Sequence, residues 1–429
     1  MEFDARMAAR TRGRRTSIIR ELLKVATTPG VISLGGGYPS PATFPMENLT
    51  FTASGESFAL TRKELESACQ YGPSLGQAEL IPRLQEWHKA KSKVELGADQ
   101  ICVINGSQEG LFVLGYLFLD PGDPVALTEP TYPGALGAFS AFTDNFLPIP
   151  QDARGMDPRA LEEYLVRRSR KGMTPPKFVY VTPNCHNPAG VTMDEPRRRE
   201  IYAIVEQHDL LLLEDDPYEL IKFTTDAYYP SFQSMDTAGR VVRLDSFSKV
   251  FVPGFRMGYA SGPRELIKEF NLFKQAANLH TSSFNQVILA TYLKKVGPDG
   301  MFERIRKNCA MYRRNYEALV SALDRELKDQ VSFNRPDGGF FLWMELSQAN
   351  GRIDTMEMIA GLAVSTGVLL VPGPGFSLTG SLSNYLRASF SQQSPDEIAE
   401  AIRRLARMLV EYRMMQKDKA SIEPKRGDG

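Results

Sequence analysis

Four apolar, strand-like runs in this sequence are each followed by a polar cluster, and the residue types in those clusters are chemically complementary. QICVIN leads into Gly106-Ser107-Gln108 at the start of a helical pattern, and KFVYVTP leads into the stretch from Asn184 to Gly190. LLLLE leads into Asp215-Asp216-Pro217-Tyr218, and VVRLD into Ser246-Phe247-Ser248-Lys249, with Arg256 a few residues on. In α/β sheets, ligand-binding groups collect beyond the carboxyl ends of the strands, so four successive clusters point to a single site. A helix start at Ser107 and Gln108 offers free N–H groups and a dipole that favours phosphate. Ser246, Ser248 and Arg256 can add hydroxyls and a bidentate cation. Asp215, at the end of an apolar run, is a buried-carboxylate candidate that must find a cationic partner. The amine of Lys249, beside this acid and anion nest, can act as nucleophile or base.

An anion cradle, an acid and a lysine together suit a cofactor with a phosphate, a basic ring nitrogen and an aldehyde, a description that pyridoxal 5'-phosphate meets. Asp215 would keep the pyridine nitrogen protonated so that the ring can accept electrons. Tyr218 and Asn187 could donate hydrogen bonds to the ring's phenolate oxygen, and Tyr132 in TEPTYPG could stack on the ring face.

These residues need a scaffold, and the chain between them alternates short apolar runs with amphipathic helical stretches such as AELIPRLQEWHKAKSKV, DPRALEEYLVRRSRKG and EPRRREIYAIVEQHD. That alternation predicts a parallel-rich sheet covered on both faces, an α/β fold. From about Pro263 the pattern changes to long helices, then to the strand pair in VSFNRPDGGFFLWMEL, the helix DTMEMIAGLAVSTG, the strand NYLRASFS and a last helix. This second part reads as α+β. The expected division is an N-terminal segment 1–48 contacting a small domain or a second subunit, a large domain 49–310, a small domain 311–416 and a tail 417–429.

Composition narrows the function classes. The 429 residues carry 51 Lys+Arg against 51 Asp+Glu, which gives no electrostatic reason to expect nucleic acid or an anionic membrane as partner. Apolar runs fall short of the roughly 18 residues of a membrane span. The four cysteines and four histidines are scattered without metal-ligand spacing, so free thiols and no metal site are expected. The Arg-rich N-terminus begins with Glu2 and Asp4, which argues against a transit peptide. A cytoplasmic location is therefore expected, with a mitochondrial one as the alternative.

The stretches ISLGGGYPSPATFP, YGPSLG, INGSQEGL, TEPTYPGAL, VTPNCHNPAG, LLLEDDPYEL, LDSFSKVFVPGFRMGY, SSFNQ, GGFFLWMEL and NYLRASFS run from about Ile32 to Ser391. In content and order the sequence resembles the fold-type I pyridoxal-phosphate aminotransferases, and among them the kynurenine/2-aminoadipate group, with fungal aromatic aminotransferases and related carbon–sulfur lyases. The resemblance implies a large domain with a mostly parallel seven-stranded sheet and a small α+β domain built from both chain ends. It implies that Lys249 is the Schiff-base lysine and proton shuttle, Asp215 the pyridinium partner, and Asn187 and Tyr218 the ligands of the ring oxygen. Ser107, Gln108, Ser246, Ser248 and Arg256 match the phosphate cradle. Tyr71 matches a tyrosine that reaches the cofactor phosphate of a neighbouring subunit, implying a homodimer with shared active sites. Arg387 matches the arginine that clamps the substrate α-carboxylate, a task suited to a planar bidentate fork. Gly37, Tyr38, Arg20 and Phe341 match the side-chain pocket.

The implied reaction is transfer of an amino group from an aromatic, kynurenine-like or 2-aminoadipate-like L-amino acid to a 2-oxo acid by a ping-pong cycle. The sequence departs from the group at His186, where Asn is usual, and at Tyr38, where an aliphatic residue is usual. Those departures leave β-elimination from a cysteine S-conjugate, on the same fold, as the alternative reaction.

Overall fold

Strand residues that are apolar on both sides can only be accommodated between two layers, and the large sheet is built on that principle. The structure, a computed structural model, describes residues 3–15, 28, 30–32, 34–35, 37–224 and 229–422. A hairpin of β1 (Thr50–Ala53) and β2 (Glu56–Ala59) precedes the main sheet. The sheet contains β3 (Ile101–Ile104), β4 (Val125–Glu129), β5 (Phe146–Asp152), β6 (Gly155–Met156), β7 (Phe178–Val181), β8 (Leu211–Asp215), β9 (Val241–Ser246) and β10 (Gly258–Ser261). Their spatial order is β3-β10-β9-β8-β7-β4-β5-β6. Strands β9, β8, β7, β4 and β5 run parallel, whereas β10 is antiparallel to both of its neighbours.

Alternation along each strand sends side chains into different cores. Cys102 and Ile104 enter one cluster with Phe178, Tyr180, Leu211 and Leu213, whereas Ile101 and Val103 enter a second beneath the helix Leu80–Ser92. Val179, Val181 and Leu212 join a third. A second sheet, in the order β11-β12-β14-β13, comprises β11 (Val331–Phe333), β12 (Phe341–Leu346), β13 (Val371–Pro372) and β14 (Tyr385–Ser389). It packs with the helices Thr355–Thr366 and Pro395–Ile422 around Leu342, Met344, Leu386 and Leu405. The long helix Ser283–Glu326, kinked at Gly297 before Pro298, supplies Leu289 and Met301 to the first body and Leu319 and Leu323 to the second.

Three features differ from the sequence-based expectation. The main sheet has eight strands rather than seven, because the turn after β5 folds Gly155–Met156 back as a short antiparallel edge. The first residues pack on the large body rather than on the second one. Phe3 and Met7 are buried in the cluster that holds Leu117, and the Ala8 N–H donates to the Leu117 carbonyl at 2.8 Å. Arg10 and Arg14 reinforce this docking through Asp120 and Glu269. Finally, the last helix continues to Ile422, beyond the expected start of a tail at 417, and Lys419 pairs with Glu357 at 2.6 Å on the way. Among the described residues, no helix is long and apolar enough to cross a membrane.

Behind the ends of β8 and β9 lies a buried charge cluster. Arg243 is fully buried and contacts Glu214 at 3.0 Å, Asp216 at 3.3 Å, Glu219 at 2.8 Å and Asp245 at 3.1 Å. Lys91 reaches Glu219 and Asp245, each at 2.9 Å. Breaking such a cluster from one side leaves uncompensated buried charge, which costs about 3–5 kcal/mol. Arg243→Met is therefore expected to lower unfolding free energy in denaturant by about that amount. A loss below about 1 kcal/mol, the scale of an exposed pair, would show that the cluster is not dry.

Candidate active site

The carboxyl ends of β3, β4, β7, β8 and β9 surround one cavity of about 220 Å³. Its phosphate-like end is formed where β3 turns into the helix Ser107–Phe118. Gly106 makes that turn at φ 76°, and a Cβ there would lie 2.6 Å from the Arg256 guanidinium, so only glycine lets the arginine approach the helix start. Arg256 Nη1 donates to Ser248 Oγ at 3.1 Å, and Nη2 to the Asn105 carbonyl at 3.4 Å, both neutral oxygens. The Ser246 hydroxyl accepts from the Ser248 N–H at 3.1 Å. Ser107 Oγ is buried and has no hydrogen-bond partner. Gln108 and Tyr132 line the adjoining wall, with Gln108 Nε2 donating to the Gly134 carbonyl at 2.7 Å.

Asp215 lines the same cavity, with one oxygen bonded and the other without a partner. Tyr180 donates to Oδ2 at 3.0 Å, and Thr182 donates to the Tyr180 hydroxyl at 3.2 Å. Oδ1 is buried without a partner. Burial pushes this carboxyl up to about 6, against the pull of the bonded Tyr180 hydroxyl and of the Ser107 hydroxyl, which lies nearby but outside hydrogen-bond geometry. Lys249 lines the same cavity, its Nζ 5.9 Å from the ring centres of both Tyr218 and Phe340. Burial, and then the charges of Arg256 and Arg387, hold its ammonium below the ordinary lysine value, which favours a free amine. Tyr218 is buried, and its hydroxyl is pushed up by desolvation.

Arg387, on β14, reaches the site from the second sheet. Its Nη1 donates to Asn187 Oδ1 at 2.9 Å, and its guanidinium lies 4.2 Å from the centre of the Phe341 ring. A phosphate ester suits the Ser107–Arg256 end, a protonated heteroaromatic nitrogen suits the open oxygen of Asp215, and a carbonyl carbon suits the amine of Lys249. The unpartnered Ser107 Oγ and Asp215 Oδ1 are what make pyridoxal phosphate fit this cavity, since each buried polar atom requires a partner.

Eleven residues expected from the sequence line the cavity together: Ser107, Gln108, Tyr132, Asn187, Asp215, Tyr218, Ser246, Ser248, Lys249, Arg256 and Phe341. Tyr71, Gly37 and Tyr38 do not line it; all three are exposed, and the Tyr38 and Tyr71 ring centres are 6.4 Å apart. Arg20 lies outside the described residues. His186, expected near a cofactor, is instead buried behind the lining, its Nε2 3.1 Å from Thr128 Oγ1, and burial holds its imidazole down to about 3. Thr182, Pro217 and the Tyr180 support of Asp215 were not anticipated. The signal was present in KFVYVTP, where two-residue alternation places Tyr180 and Thr182 on one face, next to the strand that ends at Asp215.

Comparison with known proteins agrees with this geometry. Residues 46–405 match the family described as Aminotransferase class I and II. The aromatic-amino-acid aminotransferase 1 of Thermococcus litoralis is 35% identical over 96% of this chain and 95% of its own length. The mouse mitochondrial kynurenine/alpha-aminoadipate aminotransferase is 32% identical over 92% of this chain and 97% of its own. The solved kynurenine aminotransferase of Pyrococcus horikoshii, in complex with PMP, superposes with a TM-score of 0.76 at 31% identity, over 95% of this chain and 98% of that one. By this match along nearly its whole length, the chain belongs to the class I and II aminotransferase family and is a pyridoxal-phosphate-dependent aminotransferase.

Proposed function

We propose that the chain transfers the amino group of an aromatic, kynurenine-like or 2-aminoadipate-like L-amino acid to a 2-oxo acid, with Lys249 as the covalent attachment point of the coenzyme. The observation that carries the assignment of residues is that Asp215, whose buried Oδ1 has no hydrogen-bond partner, lines the same cavity as Lys249 and the Ser107–Arg256 cradle. When bound, the coenzyme supplies an electron sink for the pair left at the substrate Cα. The chain's own residues do the rest. Asp215 holds the ring nitrogen cationic; Ser107, Gln108, Ser246, Ser248 and Arg256 fix the phosphate; Asn187 and Tyr218 hold the ring oxygen; and Tyr132 covers the ring face. Arg387, already stacked on Phe341, clamps the substrate α-carboxylate through its fork. The amine of Lys249 would take the proton from the substrate Cα and deliver it to the coenzyme carbon that keeps the amino group.

The names of the relatives support this donor class, and Phe341 beside Arg387 offers an apolar ring at the point where a substrate side chain leaves Cα. Tyr38, Gly37 and Arg20 belong to the same reading as pocket residues. The elimination alternative loses one of its two supports, because His186 is bonded to Thr128 and does not line the cavity.

A homodimer with shared sites is part of the proposal. Ile32 and Leu34 are 92% and 97% exposed, and Tyr71, half-exposed, packs edge-on against His280, 6.0 Å away; large apolar side chains left this open suit burial against a second copy. The division at 49 and 311 is part of the proposal, with 311 inside the helix Ser283–Glu326 that both bodies share. A cytoplasmic location accompanies the reading.

Acceptor dependence tests the reaction. With an aromatic amino acid or 2-aminoadipate, 2-oxo acid formation is expected only when a second 2-oxo acid such as 2-oxoglutarate is supplied. Release of thiol and ammonia from a cysteine S-conjugate without any acceptor, at a rate exceeding transamination, would contradict it.

A further inference from the structure

Glu129 ends β4, three residues before Tyr132, and is not among the side chains lining the cavity. Its carboxylate instead binds three consecutive residues from the other sheet's connection between β13 and β14. Ser377 Oγ donates to Oε1 at 2.6 Å, Leu378 N–H to Oε2 at 2.8 Å, and Thr379 to Oε1 through both its hydroxyl at 3.0 Å and its N–H at 3.4 Å. The Thr131 N–H adds a tie to the Phe376 carbonyl at 2.9 Å. Leu378 and Tyr132 both pack against the core cluster of the large sheet that contains Ala135 and Phe139. Residues 376–379 are therefore anchored on the large body, although the chain on either side belongs to the four-stranded sheet.

That anchorage ends at the substrate clamp. Phe376 is buried and packs edge-on against Trp343, and its ring centre is 5.0 Å from the Arg387 guanidinium. Arg387 thus contacts two rings, Phe341 of its own sheet at 4.2 Å and Phe376 at 5.0 Å, the latter next to the residues that Glu129 ties down. Contacts with two rings restrict where the guanidinium can lie. A carboxylate receiving four hydrogen bonds from one loop holds that loop more firmly than neutral contacts would.

We infer that Glu129 is a positioning residue for the substrate carboxylate: by fastening Ser377–Thr379 it sets where Phe376 holds the Arg387 fork relative to Tyr132 and the cavity. This rests on the reading of Arg387 as the carboxylate clamp. Both half-reactions present an α-carboxylate to the same arginine, so Glu129 acts on donor and acceptor alike. It does not act on the phosphate cradle, whose residues lie at and after the ends of β3 and β9.

The test uses the coenzyme-loaded enzyme. In Glu129→Ala, KM for amino donor and for 2-oxo acid is expected to rise about tenfold each, with kcat changed less than about threefold, the pattern of lost ground-state binding. Spectral titration with hydrocinnamate, a carboxylate without an amino group to react, should weaken by a similar factor, while coenzyme content and its absorbance stay as in the wild type. Glu129→Gln keeps an oxygen for Ser377 and Thr379 but turns an amide toward the Leu378 N–H, so it should fall between the two; it carries the test if the alanine variant does not fold. Phe376→Leu should raise the same KM values, and combining it with Glu129→Ala should add nothing further. Unchanged KM and hydrocinnamate affinity in a folded variant, a fall in kcat alone, or additive effects with Phe376→Leu would overturn the inference. Arg387→Lys, measured in parallel, separates the two levels: if it leaves both KM values unchanged, the clamp reading itself has failed, and the Glu129 inference falls with it.

Discussion

Lys249→Ala is expected to lose roughly 10⁴-fold or more in kcat, because the proton transfer it would perform alone accounts for ~10²–10⁴ and its role as attachment point is lost as well. The fold should survive. Lys249 is only half-buried, and the cations Arg256 and Arg387 lower its proton affinity rather than anchor it. Coenzyme should still enter the cradle of Ser107 and Arg256 but should wash out on dialysis, since nothing covalent retains it. Steady-state turnover, together with coenzyme content before and after dialysis, checks both halves. Turnover within about tenfold of the wild type would show that another group moves the proton.

Asp215→Asn has a twofold signature that no merely structural residue would give. In the loaded enzyme, losing the charge proposed to hold the ring nitrogen cationic is expected to lower kcat about 10²–10³-fold, the scale of removing one preorganised electrostatic partner. In the coenzyme-free protein the same change should be stabilising. Burial raises the Asp215 carboxyl to about 6, above its ordinary value, so the ionised form is disfavoured in the folded state. The sign follows from linkage: this penalty is absent below the unfolded value near 4, grows as pH rises, and is complete above about 6. It amounts to roughly 3 kcal/mol at neutral pH. Coenzyme-free Asp215→Asn should therefore melt above the wild type at pH 7.5, with the difference vanishing toward pH 4. Added coenzyme should reverse the order, because only the carboxylate gains a cationic partner. A coenzyme-free variant that melts lower than the wild type at neutral pH would contradict the assignment of Oδ1 as an unpaired, ligand-facing atom.

How far the sequence carried the reading depended on how local each signal was. Strand ends followed by Ser107, Asn187, Asp215 and Lys249 could be read because an apolar run and a polar cluster adjoin in the chain. The strand β5 is not legible in the sequence because FLPIPQD carries Pro148 and Pro150, which read as breakers; the sheet tolerates them with only a two-residue edge strand beyond. Glu129 gave no warning at all: it sits beside the cofactor motif TEPTYPG, yet its partners lie about 250 positions away. Arg387 was legible only through the family resemblance, since no pattern in NYLRASFS says which face of β14 meets Asn187. Tyr71, Tyr38 and Gly37 are exposed and do not line the cavity, although each lies in a motif of the family.

The attachment of the coenzyme is the claim on which the rest depends, and it can be read directly. Reduce the coenzyme-loaded protein with borohydride, digest it and locate the phosphopyridoxyl mass by peptide sequencing. The account predicts a single adduct on the side-chain nitrogen of Lys249, in the peptide that contains Ser246 and Ser248, at close to one per chain. An adduct on a different lysine, or coenzyme that binds fully yet leaves no adduct after reduction, would contradict it.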